Sequence, residues 1–349
     1  MAAVTSLAVI IFAIYLLIII SNDFFIESLD RISEKLRLSP SVAGATLMAM
    51  GSSAPELSIA LIALFTHGGA HSDMGIGTIV GSAVFNILVI TGLCAVIRTA
   101  AVTLGAIIRD TAFYVASILI MVYIFADGAV TPAEPFFLIA LYGAYLLALF
   151  LYPGDEFQEP APHPPVIPDN NGSSGPLKLF NRWIKHVVTI VAGDAHKNYL
   201  RAFAVSILII VIISKVLVDN AIIFANAIHL PPVIVALTIL AAGTSAPDLI
   251  SSIIVAKQGR GDMAIANAVG SNIFDILIGL GLPWLIILYA TSRDIIPVGT
   301  KDLMESVFIL IGTVMVLFFF LCTQRQLGKK EGIVLLLIYA GYIAWTVLN

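Results

Sequence analysis

GSSAPEL at residues 51–57 and GTSAPDL at residues 243–249 are two versions of one phrase, and each sets a proline and a carboxylate in the middle of a long apolar run. A proline inside a helix removes one backbone hydrogen bond and obstructs another, so Pro55 and Pro247 are expected to break or bend the helices that carry them. The carbonyls freed by the breaks, at Ala49 and Ala241 and their following neighbours, then become oxygen ligands, because broken backbone is tolerated at membrane depth only where it lines a cavity or binds something. Ser52, Ser53, Thr244 and Ser245 add hydroxyls beside Glu56 and Asp248. All are hard oxygen donors of the kind that suits sodium, calcium or magnesium, and the lack of histidine or cysteine here argues against zinc or copper. Glu56 and Asp248 therefore read as cation ligands. Their alternative role, capping the second half of each broken helix, would not by itself justify a buried charge.

The rest of the chain supplies the membrane. Of 349 residues, 59% are hydrophobic and 11% charged, against roughly a quarter charged in an ordinary soluble domain. A bilayer core of about 30 Å takes about 20 apolar residues per helix. Such stretches lie near 4–21, 41–66, 75–97, 110–126, 134–152, 200–218, 231–256, 263–289, 303–322 and 332–348. The expectation is an all-α membrane protein of ten transmembrane helices. Val4 to Ile20 lacks a basic start and a small-residue cleavage site, so it reads as a retained first helix rather than a signal peptide. Cys94 and Cys322 fall inside predicted helices without metal-like spacing and read as core packing.

If the first helix starts outside, only Lys215, Arg293 and Lys301 of the 18 lysines and arginines fall on the outer side. That bias puts both termini outside and the central loop in the cytoplasm, with the plasma (inner) membrane as the expected location. The central segment 153–198 carries PGDEFQEPAPHPPVIPDNNGSSGP, too rich in proline and acids to bury apolar area, and is expected to be disordered. It separates residues 1–152 from 199–349, two halves of five helices each.

The halves repeat one another. A shift of 192 positions lays Leu38, Pro40 and Thr46 on Leu230, Pro232 and Thr238, and Glu56 on Asp248. A shift of 189 lays VGSAVFNIL (80–88) on VGSNIFDIL (269–277), so Asn86 meets Asp275. The copies run over about 38–98 and about 230–289. With five helices between equivalent points, the second copy crosses the membrane in the opposite sense. Such inverted repeats hold substrate near the midplane in secondary transporters. Ser82 with Asn86, and Ser271 with Asp275, are spaced by four and share one helix face, able to point at the broken helices. Asn272 sits on an adjacent face, as ligand or packing.

GSSAPEL followed by AHSDMGIGTIVGSAVFNIL, and ILAAGTSAPDLISSIIVA followed by GRGDMAIANAVGSNIFDILIGLGLPWLI, resemble the two alpha repeats of the calcium/cation antiporter superfamily. The branch they look most like is the potassium-dependent sodium/calcium exchangers, and the resemblance runs on into IIRDTAFYV. It implies ten helices in two inverted halves with helices 2, 3, 7 and 8 around a central cation site. Carried onto matching positions, Glu56 and Asp248 are the central calcium ligands, and Asn86 and Asp275 complete the ring, with Asp275 associated with potassium. Ser52, Ser53, Ser82, Thr244, Ser245 and Ser271 serve flanking sodium positions. The implied activity is antiport of sodium against calcium, with potassium moving alongside calcium. No enzyme activity, prosthetic group or nucleic-acid partner is implied; the partners are the transported cations and the lipid bilayer. The central loop is too short for a folded calcium-sensor domain.

Three rivals stand beside this reading. A potassium-independent exchanger or a calcium/proton antiporter would use the same acids, since a carboxylate-rich site also accepts protons. A cation channel also lines its path with oxygens, but inverted halves suit alternating access. Residues 259–262, GRGD, match the GxGD string of intramembrane aspartyl proteases, although Asp275 follows this string and Asp262 sits at a basic membrane edge.

Overall fold

The computed structural model describes residues 2–36, 49–65, 72–101, 104–151, 176–195, 197–257, 261–291, 294–298, 301–324 and 326–348. Leu38, Pro40, Thr46, Gly259, Arg260, Arg293 and the proline-rich stretch 153–175 lie outside the described residues.

Helix α1 (Ala2–Ile20) passes through a π turn (Ser21–Ile26) into α2 (Glu27–Leu36). The second expected span is in two pieces, α3 (Ala49–Ser52) and α4 (Ala54–Phe65). Helix α5 (Ser72–Phe85) continues through a π turn (Asn86–Ile90) into α6 (Thr91–Ile97), and α7 (Leu104–Phe125) and α8 (Glu134–Leu151) follow. After α9 (Pro176–Ala192) the second half opens with α10 (Tyr199–Ala227). Then α11 (Pro232–Val235), a π turn (Ala236–Leu240) and α12 (Ala241–Thr244) lead to the break before α13 (Ala246–Lys257). Helix α14 (Gly261–Phe274), a π turn (Asp275–Leu280) and α15 (Gly281–Ala290) form one rod, followed by α16 (Lys301–Gln324) and α17 (Lys329–Leu348). Among the described residues nine helical spans are long and apolar enough to cross a membrane, and Ala54–Phe65 is a shorter apolar helix. Each overlaps a stretch read from hydropathy.

Three expectations are corrected. The central segment is not irregular throughout, because α9 occupies 176–192. Its proline stands at the first helical position, where no N–H is missed, and Asn181, Ile184, Val188 and Ala192 recur at helical spacing on its inward face. That face docks on α1 and the turn after it: the Tyr15 hydroxyl bonds Asn181 Oδ1, Phe180 stacks on Tyr15, and Lys185 pairs with Asp23 at 2.9 Å. Second, α10 runs nine residues past the expected end at 218, because Lys215 and Asp219 pair with one another across one turn at 3.0 Å. Both charges ride on the helix surface. Third, Cys94 is buried but Cys322 is exposed, on an outer face of α16.

Four two-residue strands tie loops together. β1 (Ala100–Ala101) pairs with β4 (Gln326–Leu327), and β2 (Ala129–Val130) with β3 (Ile296–Pro297), both antiparallel. β1 follows α6 and β3 follows α15, the same place in each half; β2 precedes α8 and β4 precedes α17, again the same place. Exchanging the halves therefore exchanges the two sheets.

The span Ser72–Ile97 is the centre of the bundle, with 89% of its apolar window buried against 22% for Lys329–Leu348. One apolar cluster joins Ile10, Leu17, Ile59, Leu217 and Leu240, from α1, α4, α10 and the π turn before α12; a larger one gathers α5, α7, α8 and α14 to α17. Lipid gives no hydrophobic drive between helices, so association in the bilayer depends on close packing, which small residues permit. At Gly81 this is extreme: a Cβ there would lie 2.3 Å from the Leu237 carbonyl oxygen and 2.7 Å from Ala241 Cβ. Central helix and broken helix thus meet backbone to backbone beside the break.

Candidate cation site

Both breaks fall two residues before the proline. Ser245, at φ −80° and ψ 1°, closes α12, and Ser53 separates α3 from α4 in the same way. Regular bonding resumes with Leu249 N donating to Ser245 O, and Leu57 N to Ser53 O, each at 3.0 Å. The carbonyls whose helical donor is replaced by proline are those four residues earlier, Gly51 and Gly243, not Ala49 and Ala241. The Ala241 oxygen accepts Ser245 N at 3.1 Å, yet it still faces the hydroxyls of Ser82 at 3.4 Å and Thr244 at 3.3 Å. Ala49 opens the described part of the first broken helix.

The hydroxyls cross between the halves. Ser245 Oγ donates to Glu56 Oε1 at 3.3 Å, and Ser82 Oγ reaches the same oxygen at 3.4 Å. Ser82 and Thr244 are themselves 3.4 Å apart. In return Ser52 faces Asp248, and Ser53 faces Asp275. Asn86 donates to Ser271 Oγ at 3.3 Å. Glu56, Asn86, Asp248 and Asp275 are 1%, 0%, 3% and 1% exposed, so none is a surface charge. Asn86 and Asp275 each open a π turn, a widening of the helix that recurs at functional sites.

Every one of the sequence-read oxygen side chains is buried in this region. Asn272 is hydrogen-bonded at both ends of its amide: its Oδ1 takes the Asn86 amide at 2.8 Å, and its Nδ2 goes to Ala83 O at 3.1 Å and Tyr114 Oη at 2.9 Å. Tyr114 was not singled out from sequence, although a tyrosine hydroxyl inside a buried helix calls for a partner.

Among the described residues, five of the eleven buried side-chain polar atoms without a partner belong here: Ser53 Oγ, Glu56 Oε2, Asn86 Oδ1, Asp248 Oδ1 and Asp275 Oδ1. Leaving such an atom unsatisfied costs roughly 1–3 kcal/mol, more for charged groups, so five oxygens in one place call for an electropositive partner. The three carboxylates lie within each other's electrostatic field. Among the described residues, however, no three acidic, histidine or cysteine side chains come close enough to hold a metal ion alone. A bound cation would therefore take neutral oxygens along with its carboxylates, the mixed donor set of hard ions. The protease rival fails on distance: Asp262, in the first turn of α14, and Asp275 lie on one rod, about 20 Å apart by helical rise.

Two broken helices that face one another with buried carboxylates, hydroxyls and amides between them form the kind of arrangement that secondary transporters use to hold ions. The chain belongs to the sodium/calcium exchanger protein family, whose profile matches residues 6–151 and 199–348. It is 27% identical to the sodium/potassium/calcium exchanger 4 of Mus musculus, over 97% of this chain and 80% of that protein. It is 30% identical to the sodium/potassium/calcium exchanger 5 of Homo sapiens, over 97% of this chain and 82% of that one. Among solved structures, the H+/Ca2+ exchanger CAX is similar in fold with a TM-score of 0.70 at 14% identity, covering 98% of this chain and 82% of that chain. The sodium-calcium exchanger NCX_Mj gives a TM-score of 0.60 at 22% identity, covering 98% of both.

Proposed function

We propose that this protein is a secondary antiporter that exchanges sodium for calcium, with potassium carried alongside calcium. Family membership supports the exchange of calcium for another cation. The potassium component rests on the names of the relatives and on the third buried acid, Asp275. The observation that carries the reading is the cluster of unpartnered oxygens on Glu56, Asp248, Asn86 and Asp275, at the positions where the two repeats coincide. In this reading those four side chains hold calcium and potassium, while Ser52, Ser53, Ser82, Thr244, Ser245 and Ser271, with the Ala241 carbonyl, hold sodium. Sodium and calcium then compete for overlapping ligands, which makes exchange rather than leak the natural outcome.

The two halves are read as inverted repeats of five helices with both termini outside. The swap of the two small sheets between halves supports this, since strands three and nine spans along the chain share one side under that topology. Helices α1 and α10 are the gates: they pack on one another, and Ile14 of α1 presses on Gly243, where a Cβ would lie 2.3 Å from its Cδ1. Calcium uptake into proteoliposomes loaded with sodium, with potassium outside or absent, tests the whole. Absence of sodium-driven uptake in both conditions, with a proton gradient driving it instead, would replace this reading by calcium/proton antiport.

A further inference from the structure

We infer that Tyr114, acting through Asn272, fixes the direction of the Asn86 carbonyl oxygen and so tunes the cation affinity of the site; this rests on the cation-site reading above. The relay is anchored on backbone. Ala83 O can only accept, so the Asn272 atom 3.1 Å from it is the amide nitrogen. The second hydrogen of that nitrogen goes to Tyr114 Oη at 2.9 Å. Asn272 Oδ1 is then turned toward Asn86 and accepts from it at 2.8 Å. Asn86 has to present its own nitrogen there, and the same nitrogen reaches Ser271 Oγ at 3.3 Å. What remains is Asn86 Oδ1, buried and without a partner.

An amide has a wrong end. If Asn86 turned over, a pair of N–H donors would stand where a cation needs an oxygen. Tyr114, Asn272 and Asn86 are each 1% exposed or less, so water does not complete the set from outside. The repeat shift lays Ala83 on Asn272 and Asn86 on Asp275, so the relay exists on one side only. Its absence on the other side follows from chemistry: a carboxylate accepts with either oxygen and has no wrong end. Tyr114 and Asn272 are thus positioning residues, and Asn86 the group they position.

The test uses the full chain, purified and reconstituted. Tyr114→Phe removes only the hydroxyl, and Asn272→Leu removes the middle of the relay at similar volume. Thermal stabilisation is titrated with calcium, strontium and sodium, and calcium flux is measured in parallel. Loss of one restraining hydrogen bond should raise the half-saturating calcium concentration roughly two- to ten-fold for Tyr114→Phe, and further for Asn272→Leu, with maximal flux within about two-fold. In an Asn86→Ala background Tyr114→Phe should add nothing. An unchanged half-saturation in either variant, including one that merely melts earlier without cation, overturns the inference, and so does additivity with Asn86→Ala. If no cation stabilises the unmutated protein, the cation-site reading itself has failed and takes this one with it.

Discussion

Ser245, at the break of the second broken helix, donates to Glu56 of the first at 3.3 Å, and Ser52 at the first break faces Asp248 of the second. Glu56 is held by a hydroxyl from the other half, and Asp248 faces one. Neither half therefore contains a complete site, and a cation bound between them would join two chains of contacts that no local segment could form.

Glu56→Gln and Asp248→Asn each keep the size of the side chain and remove one negative charge. Divalent binding at an all-oxygen site follows charge count, so both variants should lose most calcium flux while reaching the membrane in normal amounts. Flux near the unmutated level in either one, at equal abundance, would return that acid to a capping role.

The crossing hydroxyls give a second test. Ser245→Ala leaves Glu56 with one fewer donor and the site with one fewer neutral oxygen. Loss of a neutral ligand oxygen weakens a hard-ion site, so half-saturating sodium in exchange assays should rise several-fold. Ser52→Ala should act in the same direction through Asp248. A change in calcium affinity alone, with sodium dependence intact, would separate the hydroxyls from the sodium positions.

Topology is testable at the two small sheets. After Cys94 and Cys322 are replaced, Ala126→Cys, exposed beside β2, should react with an impermeant thiol reagent from outside intact cells. Gln326→Cys, exposed on β4, should react only after permeabilisation. Gly128, at φ +74°, is a poor site for this probe because any side chain there is strained. Labelling of both cysteines from one side would end the inverted-repeat reading.

The proposed potassium step can be tested through charge. Glu56, Asp248 and Asp275 carry three negative charges when ionised, one more than a calcium ion balances, and net charge in a membrane core is costly. A potassium ion restores neutrality, so sodium-driven calcium flux should rise with potassium in the unmutated protein and become indifferent to it in Asp275→Asn. Indifference in both would place the chain among exchangers that do without potassium.

The breaks, spans and oxygen side chains were legible in the sequence because each leaves a local mark: a proline where helices forbid it, an acid where lipid forbids it, and the same marks repeated 192 positions on. What stayed hidden depends on partners distant in the chain. Nothing near Asn272 says that its amide will be claimed by Ala83 and Tyr114, and Ser245 gives no local sign of facing Glu56. Helix α9 was hidden by the proline-rich stretch before it, whose composition spread over a segment that has an inward face of its own. The register of the freed carbonyls was misread by two residues, since the obstruction by a proline falls four residues back rather than six.

The two strand pairs lace the helices that flank them. β1 with β4 and β2 with β3 each bind a loop of the first half to a loop of the second, reinforced by Val298 N on Gly128 O at 2.9 Å. They do so at opposite ends of the central rods, like a hem sewn along both edges of a cloth. Neither α1 nor α10 is stitched in among the described residues. The hem ties the helices on either side of the strands into one frame, and among those residues the proposed gates, like the broken helices, carry no stitch of it.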